Sequence, residues 1–152
     1  VNDHHKRSSD QEASIPVISI DYAYFGETQE ERKERKGKER HGEDTKREEM
    51  PFIAVKDRLS KKVWALKVKE KGVNPFAVKK LAKILSGTGY RRVIIKSDQE
   101  PSIMALKEAV KREVELEVEI AFEESPVGEH QSNGEIENAI NRIRGQLRVC
   151  LL

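Results

Sequence analysis

Cysteine is nearly missing from this chain: Cys150 is the only one in 152 residues. That excludes an intrachain disulfide and any zinc centre built on several thiolates. It also fits a reducing compartment. No apolar run approaches the roughly 18 residues that a membrane span needs, and no signal-peptide pattern opens the sequence. An excess of one charge is missing too. The formal net charge is +2, so bulk composition alone does not announce a nucleic-acid binder. The sequence starts at Val1 without a Met, and residues 1–14 are polar, which points to a frayed tail on a piece of a longer polypeptide.

What is present is one domain's worth of chain, enough to bury a core. Hydrophobic residues are 36% and charged residues 37%, so part of the chain must be unusually polar. That part is residues 26–50, which hold nine acids and eight bases and almost no apolar side chains. With nothing to anchor it to a core, the segment is predicted to be a solvated, mobile insertion. Its charges nearly cancel, which argues against a basic arm for DNA.

Around it the pattern is orderly. Val17 to Phe25 reads as a β-branched and aromatic strand. Phe52 to Val55 and Val63 to Val68 form a hairpin. Asn74 as N-cap and Pro75 at the first position open a helix to Leu85, ended by Gly87 and Gly89. Val93 to Ile95 is a short apolar strand of the kind buried on both faces. Pro101 opens a helix with Ile103, Leu106, Val110 and Val114 on one side. Leu116 to Phe122 alternates with period two, so a strand with one wet face is expected. A loop over 123–131 precedes a last helix from Ser132 or Asn133, with Ile136, Ile140, Ile143 and Leu147 as its buried stripe. Strands joined without helices should be antiparallel and those reached through helices parallel. The fold class is therefore α/β, a mixed sheet with helices on both faces.

Three acids break the pattern. Asp21 interrupts an apolar strand, Asp98 ends another, and Glu137 sits one residue off the stripe begun by Ile136. A carboxylate at the lip of a buried strand is costly without compensation. Each has a bland alternative: a surface-facing position for Asp21, a turn cap for Asp98, a solvated helix residue for Glu137. The chemistry that uses three acids together is two-metal phosphoryl transfer, in which hard oxygen ligands hold Mg²⁺ or Mn²⁺.

The runs Ile20-Asp21-Tyr22-Ala23-Tyr24-Phe25, Val93 to Pro101 with Asp98, and Ser125 to Glu137 with Gln131-Ser132-Asn133-Gly134 resemble the integrase catalytic core of retroviruses and retrotransposons. The likeness spans residues 15–150, interrupted by the charged insertion at 26–50. It implies a ribonuclease-H-like fold with five strands, the first three antiparallel, and Asp21, Asp98 and Glu137 as catalytic, metal-binding residues. It implies Mg²⁺ or Mn²⁺, two ions in the active complex. It also implies DNA as partner, both element ends and target, with a homo-oligomer when active, no membrane, and an intracellular, nuclear site of action on host DNA.

By the same resemblance Gln131 and Asn133 line the loop that meets the DNA end. Asn141, Arg144 and Arg148 continue the helix face of Glu137 toward DNA. Gly134 supplies a tight turn at the helix start. For Arg144 a solvated helix position remains the alternative. Gln99-Glu100 stands where the family often has Asn-Gly, and His4 and His5 have no Cys partners for the family's zinc site. The implied reaction trims a DNA end with water, then joins the freed 3′ hydroxyl to target DNA. Two other functions share these residues: a decayed or domesticated core that binds nucleic acid or protein without catalysis, and a ribonuclease-H-type hydrolase.

Overall fold

The computed structural model describes residues 15–43, 45, 47–124 and 134–150. Five strands form one sheet: β1 (Val17–Ala23), β2 (Phe52–Asp57), β3 (Val63–Lys67), β4 (Arg92–Ser97) and β5 (Glu119–Glu124), in the order β3-β2-β1-β4-β5. β1 runs antiparallel to β2, and β2 to β3, whereas β4 is parallel to both β1 and β5. The helices are α1 (Gln29–Arg40), α2 (Pro75–Gly87), α3 (Pro101–Val114) and α4 (Gly134–Cys150). This is the mixed, ribonuclease-H-like sheet expected, with its first three strands antiparallel.

Side chains alternate between the two faces of a strand, and that alternation allots the core. Ile18, Ile20 and Tyr22 of β1 join Ile53 and Val55 of β2 in the larger cluster, filled from α2 and α3 by Leu81, Leu85, Ile103, Leu106 and Val110. Ala23, Phe52 and Ala54 take the opposite parity and pack against Ile136, Ala139, Ile140 and Ile143 of α4. Asp21 shares its parity with Ala23, so it emerges on the α4 side. The helix starts follow their sequence signals: Asn74 accepts from the Phe76 N–H at 2.9 Å, and Pro101 occupies the first turn of α3.

Two expectations are corrected. β5 begins at Glu119 rather than Leu116, because the N–H groups of Glu117 and Val118 are both taken by the Val114 carbonyl as α3 closes. Leu116 is left 98% exposed. The larger correction concerns residues 26–50, which contain an ordered helix. Thr28 caps α1 in a reciprocal capping box with Glu31, the Glu31 N–H donating to Thr28 and the Thr28 N–H to Glu31. Its inner face carries Arg32, Arg35 and Lys36, spaced i, i+3, i+4, and all three are buried. A helix can therefore dock through a charged stripe when the surface beneath it is acidic.

Candidate active site

Asp21 lies inside β1 and Asp98 one residue past the end of the neighbouring β4, so the sheet delivers both to the same end. The Lys36 ammonium bridges them, donating to Asp21 Oδ1 at 2.6 Å and to Asp98 Oδ2. Arg32 makes the second bridge. Its Nη2 donates to Asp21 Oδ2 at 2.5 Å and its Nε to Glu137 Oε1 at 3.3 Å. The three acids singled out by sequence thus converge on two cations of α1. Asp21 also accepts from the Tyr22 N–H at 2.8 Å, and Arg32 donates to the Tyr22 carbonyl at 2.6 Å.

Burial alone would raise the Asp21 pKa, but Lys36 and Arg32 overcome it and hold the carboxyl at about 2. Lys36 shows the counterpart: burial opposes its charge, and Asp21 and Asp98 nevertheless push its pKa up. Breaking a buried pair from one side leaves an uncompensated charge, so these groups are mutually dependent.

The side chain of Glu137 keeps 39% of its surface exposed and meets Asp21 only across the Arg32 guanidinium. The third carboxylate close to the aspartates is a different one. Carboxylate oxygens of Asp21, Asp98 and Glu100 all lie within 4.8 Å of one another, the only such cluster among the described residues. In the sequence Glu100 stands out only as part of Gln99-Glu100, where the integrase pattern often has Asn-Gly. That departure was the available signal. Glu100 donates its N–H to Asp98 Oδ1 at 3.2 Å, so Asp98 is a turn cap as well as a partner of Lys36. Glu100 Oε1 accepts from Lys71 and from Ser102, both at 2.7 Å. Burial pushes the Glu100 pKa up, against the pull of Lys71 and Lys36.

α1 is fastened on both flanks. Arg35 donates to Glu27 at 2.5 Å and to both oxygens of Glu39 at 2.9 Å. Lys71 joins Glu39, at 2.6 Å, to Glu100. Burial works against the charged form of Glu39, yet Lys71 and Arg35 lower its pKa to about 2. A depressed carboxyl stabilises the fold above its unfolded pKa and loses that contribution as pH falls through its folded one. Comparing urea midpoints of the wild type and Glu39→Gln should therefore show a gap at pH 7 that narrows between about pH 4.5 and 2. A gap of constant width would remove Glu39 from the clamp.

Other expected site residues fare differently. Arg144 is buried, and its guanidinium donates to the Tyr24 carbonyl at 3.2 and 3.0 Å and to Glu27 at 3.4 Å. Burial lowers its pKa. Arg144 therefore ties α4 to the segment that leads into α1, a buried position rather than the solvated one its helix phase also allowed. Asn141 lines a cavity of about 500 Å³ together with Asp21, Arg32, Lys36, Glu137 and Asn138. Gly134 begins α4, directly after residues 125–133, which lie outside the described residues. Gln131, Asn133 and the side chain of Arg148 lie outside the described residues.

The donor set suits a hard divalent cation: clustered carboxylate oxygens without soft ligands. The Asp21 and Asp98 oxygens of this set are engaged by Lys36 and Arg32.

The sheet is five-stranded and mixed, with Asp21 inside β1, Asp98 just past the end of the adjacent β4 and Glu137 on the packed helix α4. The catalytic core domain of BIV integrase superposes on this chain with a TM-score of 0.50 and 15% identity, covering 88% of this chain and 69% of that one. A chain from the structure of a simian T-cell lymphotropic virus intasome in complex with PP2A regulatory subunit B56 gamma gives a TM-score of 0.40 and 11% identity over 82% of this chain and 45% of that one. No family model and no curated protein matches the sequence. The chain has an integrase-catalytic-core fold. Among the described residues, no helix is long and apolar enough to cross a membrane.

Proposed function

We propose that this chain is the catalytic core of a retroelement integrase, a polynucleotidyl transferase acting on DNA phosphodiesters. The observation that carries the reading is the convergence of Asp21, Asp98 and Glu137, from two adjacent strands and the last helix, on Lys36 and Arg32. Three separated segments delivering acids to one place is what phosphoryl-transfer chemistry requires.

Asp21, Asp98 and Glu137 would hold Mg²⁺ or Mn²⁺, with Glu100 in reach of the first two, once Lys36 and Arg32 draw back. The metal, when bound, supplies neutralisation of charge on the phosphate and a more acidic attacking hydroxyl. The protein's own part is positional. β1 and β4 hold the two aspartates side by side on a rigid sheet, and α4, packed through Ile136, Ala139, Ile140 and Ile143, sets the height of Glu137. The cavity beside Glu137, lined by Asn138 and Asn141, offers amide donors and acceptors to a nucleic-acid strand. DNA affinity rests chiefly on phosphate contacts and is salt-sensitive. With a net charge of +2, this segment depends on further subunits or domains to hold DNA. Action on host DNA places the working protein in the nucleus.

Glu137→Gln tests the reading directly. Strand transfer on a duplex end with Mg²⁺ should fall by roughly 100-fold or more, since a metal ligand is worth several kcal/mol in the transition state. Undiminished joining would take Glu137 out of the mechanism.

A second reading has its own observation. Lys36 and Arg32 form ion pairs with the acids, an arrangement that a domesticated core, no longer catalysing, would retain. Calorimetric titration separates the two: a competent core takes up Mn²⁺, whereas the domesticated one does not.

A further inference from the structure

The charged stripe of α1 is the feature that an integrase fold by itself does not account for. The Lys36 ammonium sits between Asp21 and Asp98, at 2.6 Å from Asp21 Oδ1, with a Glu100 carboxylate oxygen within 4.8 Å of theirs. All three acids and Lys36 are buried. Glu100 Oε2, equally buried, has no hydrogen-bond partner, so the cluster retains an oxygen that its present cation does not satisfy. An ammonium offers three donors on a flexible stem. A hard divalent cation draws on six or more oxygens and carries twice the charge.

We propose that α1 is an internal cation plug: Lys36 fills a divalent-cation position formed by Asp21, Asp98 and Glu100, and a divalent cation competes with α1 for it. The inference rests on the metal-binding reading of this core and adds its regulation. Arg32 extends the plug by spanning Asp21 and Glu137, which keeps the helix acid apart from the sheet acids. Entry of the metal displaces Lys36, removes the reason for α1 to dock through a charged face, and frees Glu137 to close on Asp21. The hydrophilic composition of α1 suits this, because a helix with almost no apolar side chains leaves little hydrophobic surface exposed when it undocks. Two further ion pairs open with it, the buried Arg35–Glu27 pair and the Glu39–Lys71 pair.

Two measurements decide it. Mn²⁺ affinity, followed by calorimetry, is expected to be at least tenfold tighter in Lys36→Met than in the wild type. It should be lost again when Asp98→Asn is added. Hydrogen exchange on the unaltered protein covers the case in which Lys36→Met fails to fold: amides of residues 29–40 should lose protection as Mn²⁺ is titrated in, while those of β1 and β4 keep theirs. Equal Mn²⁺ affinity with and without Lys36, or α1 protection unchanged at saturating Mn²⁺, overturns the plug but leaves the metal-binding core standing. Failure of both proteins to take up Mn²⁺ overturns the plug together with the metal-binding reading.

Discussion

Replacing Asp21 with alanine should destabilise the protein by about 3–5 kcal/mol, the cost of removing one partner from a buried ion pair. The magnitude follows from what Asp21 holds. Its two oxygens receive Lys36 at 2.6 Å, Arg32 at 2.5 Å and the Tyr22 N–H at 2.8 Å. Without the carboxylate, Arg32 keeps only the carbonyl of Tyr22 and the partly exposed Glu137, and Lys36 keeps only Asp98. Both cations are largely buried, so water from the adjoining cavity replaces the lost partner only in part. Glu137→Gln is the internal comparison. Its side chain is 39% exposed, and removing so screened a charge should cost under about 1 kcal/mol. Urea unfolding of the two variants beside the wild type reads the contrast directly. Similar small losses would mean that the acids are hydrated and that α1 does not sit on them.

The second large effect is a packing effect. Ile140→Ala should cost about 2–5 kcal/mol, the range for truncating a fully buried aliphatic residue when its surroundings cannot collapse. Ile140 has no exposed surface and belongs to the small cluster of Ala23, Phe52, Ala54, Ile136, Ala139 and Ile143. Phe52 is braced from behind by Phe25, their rings stacked at 4.3 Å. With so few members, this cluster has little to repack with. It is also what keeps α4 on the sheet, so strand-transfer activity should fall with stability as Glu137 loses its fixed height. Leu116→Ala, at a position 98% exposed, should stay within about 0.5 kcal/mol of the wild type. Equal effects from Ile140→Ala and Leu116→Ala would show that α4 is not docked as described.

The strands and most helices were legible because they advertise themselves through apolar periodicity. Ile18, Ile20 and Tyr22 alternate against Ser19 and Asp21, and Ile136, Ile140 and Ile143 recur at helical spacing. Helix α1 escaped the same logic because its buried stripe is Arg32, Arg35 and Lys36, residues whose usual place is solvent. Two local signals were available, the Thr28–Glu31 capping box and the i, i+3, i+4 spacing of those cations. Neither can say that acids lie underneath. The partners of Arg144 were hidden for a related reason: its helical phase matches Glu137, but Glu27 and the Tyr24 carbonyl, far earlier in the chain, engage its guanidinium.

Sequence alone determined the order of the strands and of every helix but α1, the antiparallel start of the sheet, and the three acids worth watching, since these depend on local periodicity and on motif spacing. Only the tertiary structure decided which charges meet. It paired Asp21 and Asp98 through Lys36, put Arg32 between Asp21 and Glu137, and brought Glu100 to the aspartates. The reason is physical: an ionic side chain's environment is set by partners tens of residues away, and a sequence pattern records the charge but not what stands opposite it.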